Sequence, residues 1–126
     1  MSKPFSIVAR LASFRFAIRG LRTLIATEHN ARVHLLLTGG VVVVGLALGL
    51  TSEDWRWAVL AIALVWMAEA FNTAIERLGD AVSIKHDARI GAAKDVAAAA
   101  VLLASSAAAI IGVSIFLPYL LALAGA

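Results

Sequence analysis

Cysteine is absent from this chain, which excludes a disulfide framework and any thiolate metal site. Proline is scarce, with two residues at Pro4 and Pro118, so long helices can run uninterrupted. Charge is scarce too. Asp, Glu, Lys and Arg make up 15% of the residues, against 62% hydrophobic. That balance excludes an ordinary soluble globule and points to a membrane protein. The histidines, His29, His34 and His86, lie apart and have no HExxH spacing. No GxxxxGK[ST] motif occurs, and no Gly-rich loop follows a strand, so a soluble nucleotide-binding domain is excluded. With 126 residues and a net charge of +3, the expectation is one domain with no nucleic-acid partner.

What is present is a set of long apolar runs. Leu35 to Ser52 is uncharged over 18 positions, about one bilayer crossing. Trp57 to Ala68 is also uncharged, and the segment continues through Glu69 and Asn72 to Leu78. Val96 to Ala126 carries no charge at all, and Pro118 marks either a kink or the outer end of its helix. The reading is three transmembrane helices, with spans about 33–51, 56–79 and 94–118. No cleavable signal peptide is expected, because the first apolar run begins only near Leu35, behind a basic segment.

The loops set the orientation. Lys3, Arg10, Arg15, Arg19, Arg22 and Arg32 precede the first span, and Arg77, Lys85, Arg89 and Lys94 lie between the second and third. Arg56 stands by itself in the short first loop. The positive-inside rule then places the N-terminus in the cytoplasm and the C-terminus outside, with Trp55 and Trp57 at the outer interface.

Residues 4–27 read as an amphipathic helix, with Pro4 in its first turn. Ile7, Leu11, Phe14, Ile18, Leu21 and Ile25 form one apolar stripe, flanked by Arg15, Arg19 and Arg22. Such a helix lies on the cytoplasmic bilayer surface, packs on the other helices, or does both. Small residues are dense. Gly45-Leu46-Ala47-Leu48-Gly49 is a GxxxG, Gly39-Gly40 precedes it, and alanines crowd the third span. Small faces allow close helix approach in lipid, and three thin helices shield buried charge poorly, so a homo-oligomer is expected.

The chemistry-bearing residues sit at the inner end of the second span. At about 100° per residue, Glu69, Asn72, Glu76 and Asp80 share one helix face. At about 1.5 Å rise per residue, Glu69 lies ~10 Å deeper than Glu76, and Asp80 ~6 Å shallower. Glu28 and Arg32 stand one turn apart before the first span, and Lys94 and Asp95 open the third. The result is a polar ladder from the aqueous side into the acyl region. It suits a reaction between a soluble reactant and a membrane-dissolved one. Neighbouring carboxylates suit Mg²⁺, with Lys94 to balance phosphate charge and Asp95 placed at a helix start. Glu69, as the deep carboxylate, is a candidate general base for a lipid hydroxyl. Plainer roles compete. Asp80 and Asp95 also suit helix-end solvation, Arg77, Lys85 and Arg89 suit solvent or headgroups, and Glu28 with Arg32 makes an ordinary i, i+4 pair. A purely structural role is hardest to argue for Glu69 and Asn72, because water is scarce at that depth and intramembrane ionisable groups are costly.

These residues resemble a known family. Glu69-Ala70-Phe71-Asn72-Thr73-Ala74-Ile75-Glu76, then Asp80, then Ala93-Lys94-Asp95 through Leu102, form ExxNTAIExxxD followed by AKDxxAAAVL. That pattern is similar to the signature of the prokaryotic diacylglycerol kinase family, which includes undecaprenol kinases. Phe14 to Leu21 and Glu28 to His34 also look like the family's N-terminal portion, and the likeness runs from about residue 10 to residue 117. The resemblance implies a small trimeric membrane kinase with a surface helix and three spans. It would use ATP and Mg²⁺ to phosphorylate a lipid alcohol at the cytoplasmic face of the bacterial inner membrane. By motif position it implies Glu69 as general base and Glu28 and Glu76 as holders of Mg²⁺ and phosphates. Asn72, Asp80, Lys94 and Asp95 would complete a nucleotide site shared between subunits. His29-Asn30-Ala31-Arg32-Val33-His34 departs from the glutamate-rich segment of enterobacterial diacylglycerol kinases and looks like the undecaprenol kinase branch, and Ile18 replaces an enterobacterial aromatic. Two rivals from other classes remain at this stage: a small proton or ion transporter titrating Glu69, and a non-catalytic scaffold.

Overall fold

The structure, a computed structural model, describes residues 6–83 and 87–125. Lys3, Pro4, Lys85, His86 and Ala126, named above, lie outside them. Among the described residues the chain is all-helical: α1 Ile7–Thr27, α2 His29–Leu48, α3 Ser52–Val82 and α4 Ala88–Ala124. The last three are each long and apolar enough to cross a membrane.

Helix length matters to the site. With 31 residues, α3 is ~46 Å long at ~1.5 Å per residue, against a ~30 Å hydrocarbon core. Its last turns, with Glu76 and Asp80, therefore extend beyond what a crossing needs. The 37 residues of α4 exceed the crossing length further. Pro118 does not end this helix, which continues to Ala124. Proline lacks the N–H that would bond the Ser114 carbonyl, and the Ser114 hydroxyl turns back to donate to Ile111 O at 2.7 Å.

The dominant packing is α3 against α4, with α2 laid on α3. The core sits at the α2–α3 turn, where Leu50, Ala58 and Ile115 are buried under Trp55, Ile111, Phe116 and Tyr119. Local signals close this end tightly. Gly49 ends α2 at φ 68°, its N–H donating to Leu46 O, while Leu50 N–H donates to Gly45 O. This is a Schellman stop. Thr51 then caps α3 through a reciprocal capping box with Asp54. From the far end of α4, the Tyr119 hydroxyl donates to Asp54 Oδ2 at 2.7 Å.

This geometry corrects the GxxxG reading. Gly49 is present for its left-handed backbone, which a side chain would strain, and contributes no packing face. Gly45 is the packing glycine. A Cβ there would stand 2.9 Å from Trp55 Cη2 and 3.3 Å from Leu50 Cδ2. Trp55 therefore turns inward over α2, while Trp57 stays exposed. Gly45→Val is expected to lower thermal stability in detergent by about 1–3 kcal/mol, the usual cost of overpacking. Gly40→Ala should leave the same melt within about 0.5 kcal/mol, because nothing lies within 4 Å of that position. Equal melting of the two variants would refute the assignment.

In α1, Ile7, Leu11, Phe14, Ile18 and Leu21 are exposed and Ile25 is half-buried, while Leu24 is buried. Most of the stripe is thus not used against the chain's own helices.

Candidate active site

The α1–α2 junction is built by arginines. Arg32, in the second turn of α2, sends Nε to Ile25 O at 3.1 Å and its terminal nitrogen to Ala26 O. It thereby satisfies carbonyls at the end of α1 that have no helical partner. The i, i+4 pair expected for Glu28 and Arg32 does not form. Glu28 stands at the extended N-cap of α2 and pairs instead with Arg77 of α3, Nη2 to Oε1 at 3.0 Å. Thr27 donates to the same oxygen at 2.8 Å. Hydrogen bonds from Thr27 and Arg77 hold the Glu28 carboxyl below the usual carboxylate range. It is therefore an anion at neutral pH, tied by one oxygen. Arg77 is a structural partner here, not the free or headgroup charge the sequence suggested.

Along α3 the ladder shows a gradient. Glu69 is 2% exposed and Asn72 7%; Glu76 is half-buried and Asp80 exposed. Asn72 Nδ2 donates to Glu76 Oε1 at 3.0 Å, as the i, i+4 spacing allows. Among the described residues, two buried side-chain polar atoms have no hydrogen-bond partner, Glu69 Oε2 and Asn72 Oδ1. Orphaned buried acceptors cost stability, and their presence on one face marks a site rather than a core. The nearest charge-capable neighbour of Glu69 is His34 of α2, Nε2 to Oε2 at 4.0 Å.

The α3–α4 end is held by Lys94 Nζ, which donates to Asp80 Oδ1. Gly79 permits this approach, since a Cβ there would lie 2.8 Å from Ile90 Cγ2 and 2.9 Å from Lys94 Cε. Asp95 is exposed on α4. The candidate residues therefore come together in pairs: Glu28 with Arg77, Asn72 with Glu76, Asp80 with Lys94 and Glu69 with His34. Among the described residues no group of three His, Asp or Glu side chains gathers to hold a metal. The cluster of neighbouring carboxylates expected from sequence is thus not formed within one chain. Magnesium does not require one, because it commonly uses one or two carboxylates and takes its other ligands from phosphates and water. Glu28 and Glu76, each bonded through a single oxygen, fit that donor set.

Sequence reasoning missed Arg77, and it left His34 without a role. Arg77 lies 49 positions from its partner, so no local pattern could reveal it. His34 did carry a signal, as the titratable residue that opens the apolar run of α2.

Comparison with known proteins gives the family. The family model described as prokaryotic diacylglycerol kinase matches residues 15–116. The chain is 37% identical over 108 residues to an undecaprenol kinase of Bacillus subtilis, covering 86% of this chain and 88% of the relative. It is 42% identical over 116 residues to a diacylglycerol kinase of Synechocystis, covering 90% of this chain and 65% of that relative's length. The chain belongs to the prokaryotic diacylglycerol kinase family and is a membrane-embedded lipid kinase.

Proposed function

We propose that the chain transfers the γ-phosphoryl group of ATP, with Mg²⁺, to the hydroxyl of a membrane lipid alcohol, either undecaprenol or diacylglycerol. The observation that carries this reading is Glu69: a carboxylate 2% exposed, with a free oxygen, at the deep end of a polar face. The hydroxyl of a lipid can reach that depth, and Glu69 takes its proton as the oxygen attacks phosphorus. Lys94 and Asp80 stand at the shallow end, where a soluble nucleotide arrives, and Lys94 offsets charge on the phosphoryl oxygens. Asn72 and Asp95 complete the nucleotide site. Glu28 and Glu76 hold Mg²⁺, which when bound neutralises phosphate charge.

The working unit is a homotrimer with composite sites. Three observations support association. The carboxylates do not converge within one chain, Gly39 and Gly40 have open space beside them, and large apolar side chains are exposed along every helix. The distribution of Lys and Arg supports a site at the cytoplasmic face of the inner membrane, with α1 lying on that surface and the C-terminus outside. An ion-transport role for Glu69 is disfavoured, because the polar face reaches one side of the bilayer and the helices are unbroken.

Of the two alcohols, the segment Asn30-Ala31-Arg32-Val33-His34 favours undecaprenol. Labelled ATP supplied in mixed micelles with both alcohols tests the whole reading, with product identity read by mass. Undecaprenyl phosphate is the expected major product. Phosphatidate as the major product reverses the lipid preference, and no labelled lipid at all refutes the kinase assignment.

A further inference from the structure

Two cross-helix pairs join α3 to α2 at Glu69. In the first, Trp66 Nε1–H donates to Thr38 Oγ1 at 3.1 Å, and the Thr38 hydroxyl donates to the His34 carbonyl at 2.7 Å. The second lies one turn along both helices and pairs His34 with Glu69 at 4.0 Å. Trp66 and Glu69 are three residues apart on α3, and Thr38 and His34 four apart on α2, so each pair shares a helix face. His34 also lines an apolar groove of about 440 Å³ between α2, α3 and α4, floored by small residues such as Ala108 and Gly112. Among the described residues lining that groove, His34 is the titratable one. Its side chain is 15% exposed and that of Glu69 is 3% exposed.

We propose that His34 is a positioning residue for Glu69, its ring N–H turned onto the free carboxylate oxygen, with the Trp66–Thr38 rung keeping the ring within reach. This rests on the reading of Glu69 as the base. A buried carboxylate without a donor is free to rotate about its side-chain torsions and is costly to leave charged. One directed N–H fixes which oxygen faces the hydroxyl and supports the anion that must accept a proton. The gap of 4.0 Å exceeds hydrogen-bond reach, and catalytic hydrogen bonds are commonly long before substrate binds and tighten in the loaded complex. In the step itself the lipid O–H bond breaks and its proton passes to Glu69. The lipid oxygen bonds to the γ-phosphorus, and the bond from that phosphorus to the bridging oxygen of ADP breaks. His34 keeps its proton throughout.

The test compares His34→Leu, His34→Gln and Trp66→Phe with wild type, after circular dichroism and sizing have shown the same helicity and assembly. His34→Leu should lower kcat by roughly 10–100-fold, the scale of a misplaced reacting group, with the KM for ATP little changed. His34→Gln, which retains a side-chain N–H, should recover most of that loss. Trp66→Phe stays aromatic but loses the indole N–H, and with it the rung, together with part of the ring volume; it should lower kcat several-fold on its own. It also serves if His34→Leu does not fold. Wild-type kcat in His34→Leu, equal losses in the Leu and Gln variants, or unchanged kcat in Trp66→Phe would each overturn the proposal. Glu69→Gln, assayed alongside, separates the two readings. If it is inactive while the His34 variants are normal, only the positioning role fails. If it is active, the base assignment itself fails.

Discussion

Glu69→Gln should keep the fold and lose most turnover. A positioned general base contributes roughly 10²–10⁴-fold, so kcat should fall by that factor, or about 3–5 kcal/mol of barrier. Stability should move the other way or not at all. In the native chain Glu69 is 2% exposed and one of its oxygens has no donor. A neutral amide of the same shape removes a costly ion from that setting. The wild type thus carries a destabilising group, as functional sites often do. Steady-state phosphorylation in micelles, paired with thermal unfolding in the same detergent, measures both. Wild-type turnover would remove Glu69 from the base role. A large loss of stability along with activity would recast it as a buried structural anion.

Much of this could be read from the sequence, because the governing physics is local. Uncharged runs announce spans by length, and helical periodicity by itself places Glu69, Asn72, Glu76 and Asp80 on one face. The Asn72–Glu76 bond and the exposure gradient along α3 follow from that spacing. What could not be read was tertiary. Glu28 had a plausible partner one turn away in Arg32, yet the end of α1 leaves carbonyls that Arg32 reaches first. Arg77 then takes the carboxylate. Competition between two arginines for two kinds of acceptor has no signature in a linear pattern. Gly45 and Gly49 are four apart and look alike in sequence. One is required by an indole ring against its Cα, and the other by a φ of 68°. Pro118 suggested a kink or a helix end, but a missing N–H is tolerated in an apolar helix that packs on neighbours, and α4 runs on to Ala124.

The two ends of the bundle differ in how well their polar groups are satisfied. At the α2–α3 turn the caps are filled, through the Schellman stop, the capping box and the Tyr119 bond to Asp54. At the opposite end, Glu69 and Asn72 keep unpartnered atoms, and the charged pairs each spend one side chain on another. Both unpartnered atoms are acceptors, so a substrate hydroxyl that donates, or a bound cation, is the kind of partner they lack. The well-satisfied end fixes the relative placement of α3 and α4, so that the other end can stay incomplete without the helices separating.

Glu76 provides the second large effect, through metal dependence. It accepts from Asn72 through Oε1, and its second oxygen faces no protein donor among those described. If that carboxylate holds Mg²⁺, Glu76→Ala should raise the Mg²⁺ concentration needed for half-maximal rate by at least about tenfold. The same variant also frees Asn72, whose other amide atom is already an orphan, so it confounds two roles. Glu76→Gln separates them. The amide oxygen still accepts from Asn72, so the local geometry persists, but the negative charge that favours a divalent cation is gone. The Gln variant should therefore show the shifted Mg²⁺ requirement nearly in full, with saturating Mg²⁺ restoring much of its rate. The Ala variant should remain slow even at saturation, because Asn72 is no longer held. A shift in Ala without one in Gln would assign Glu76 to orienting Asn72. Unchanged titrations in both would leave Glu28 without Glu76 as a co-ligand and reopen the metal site.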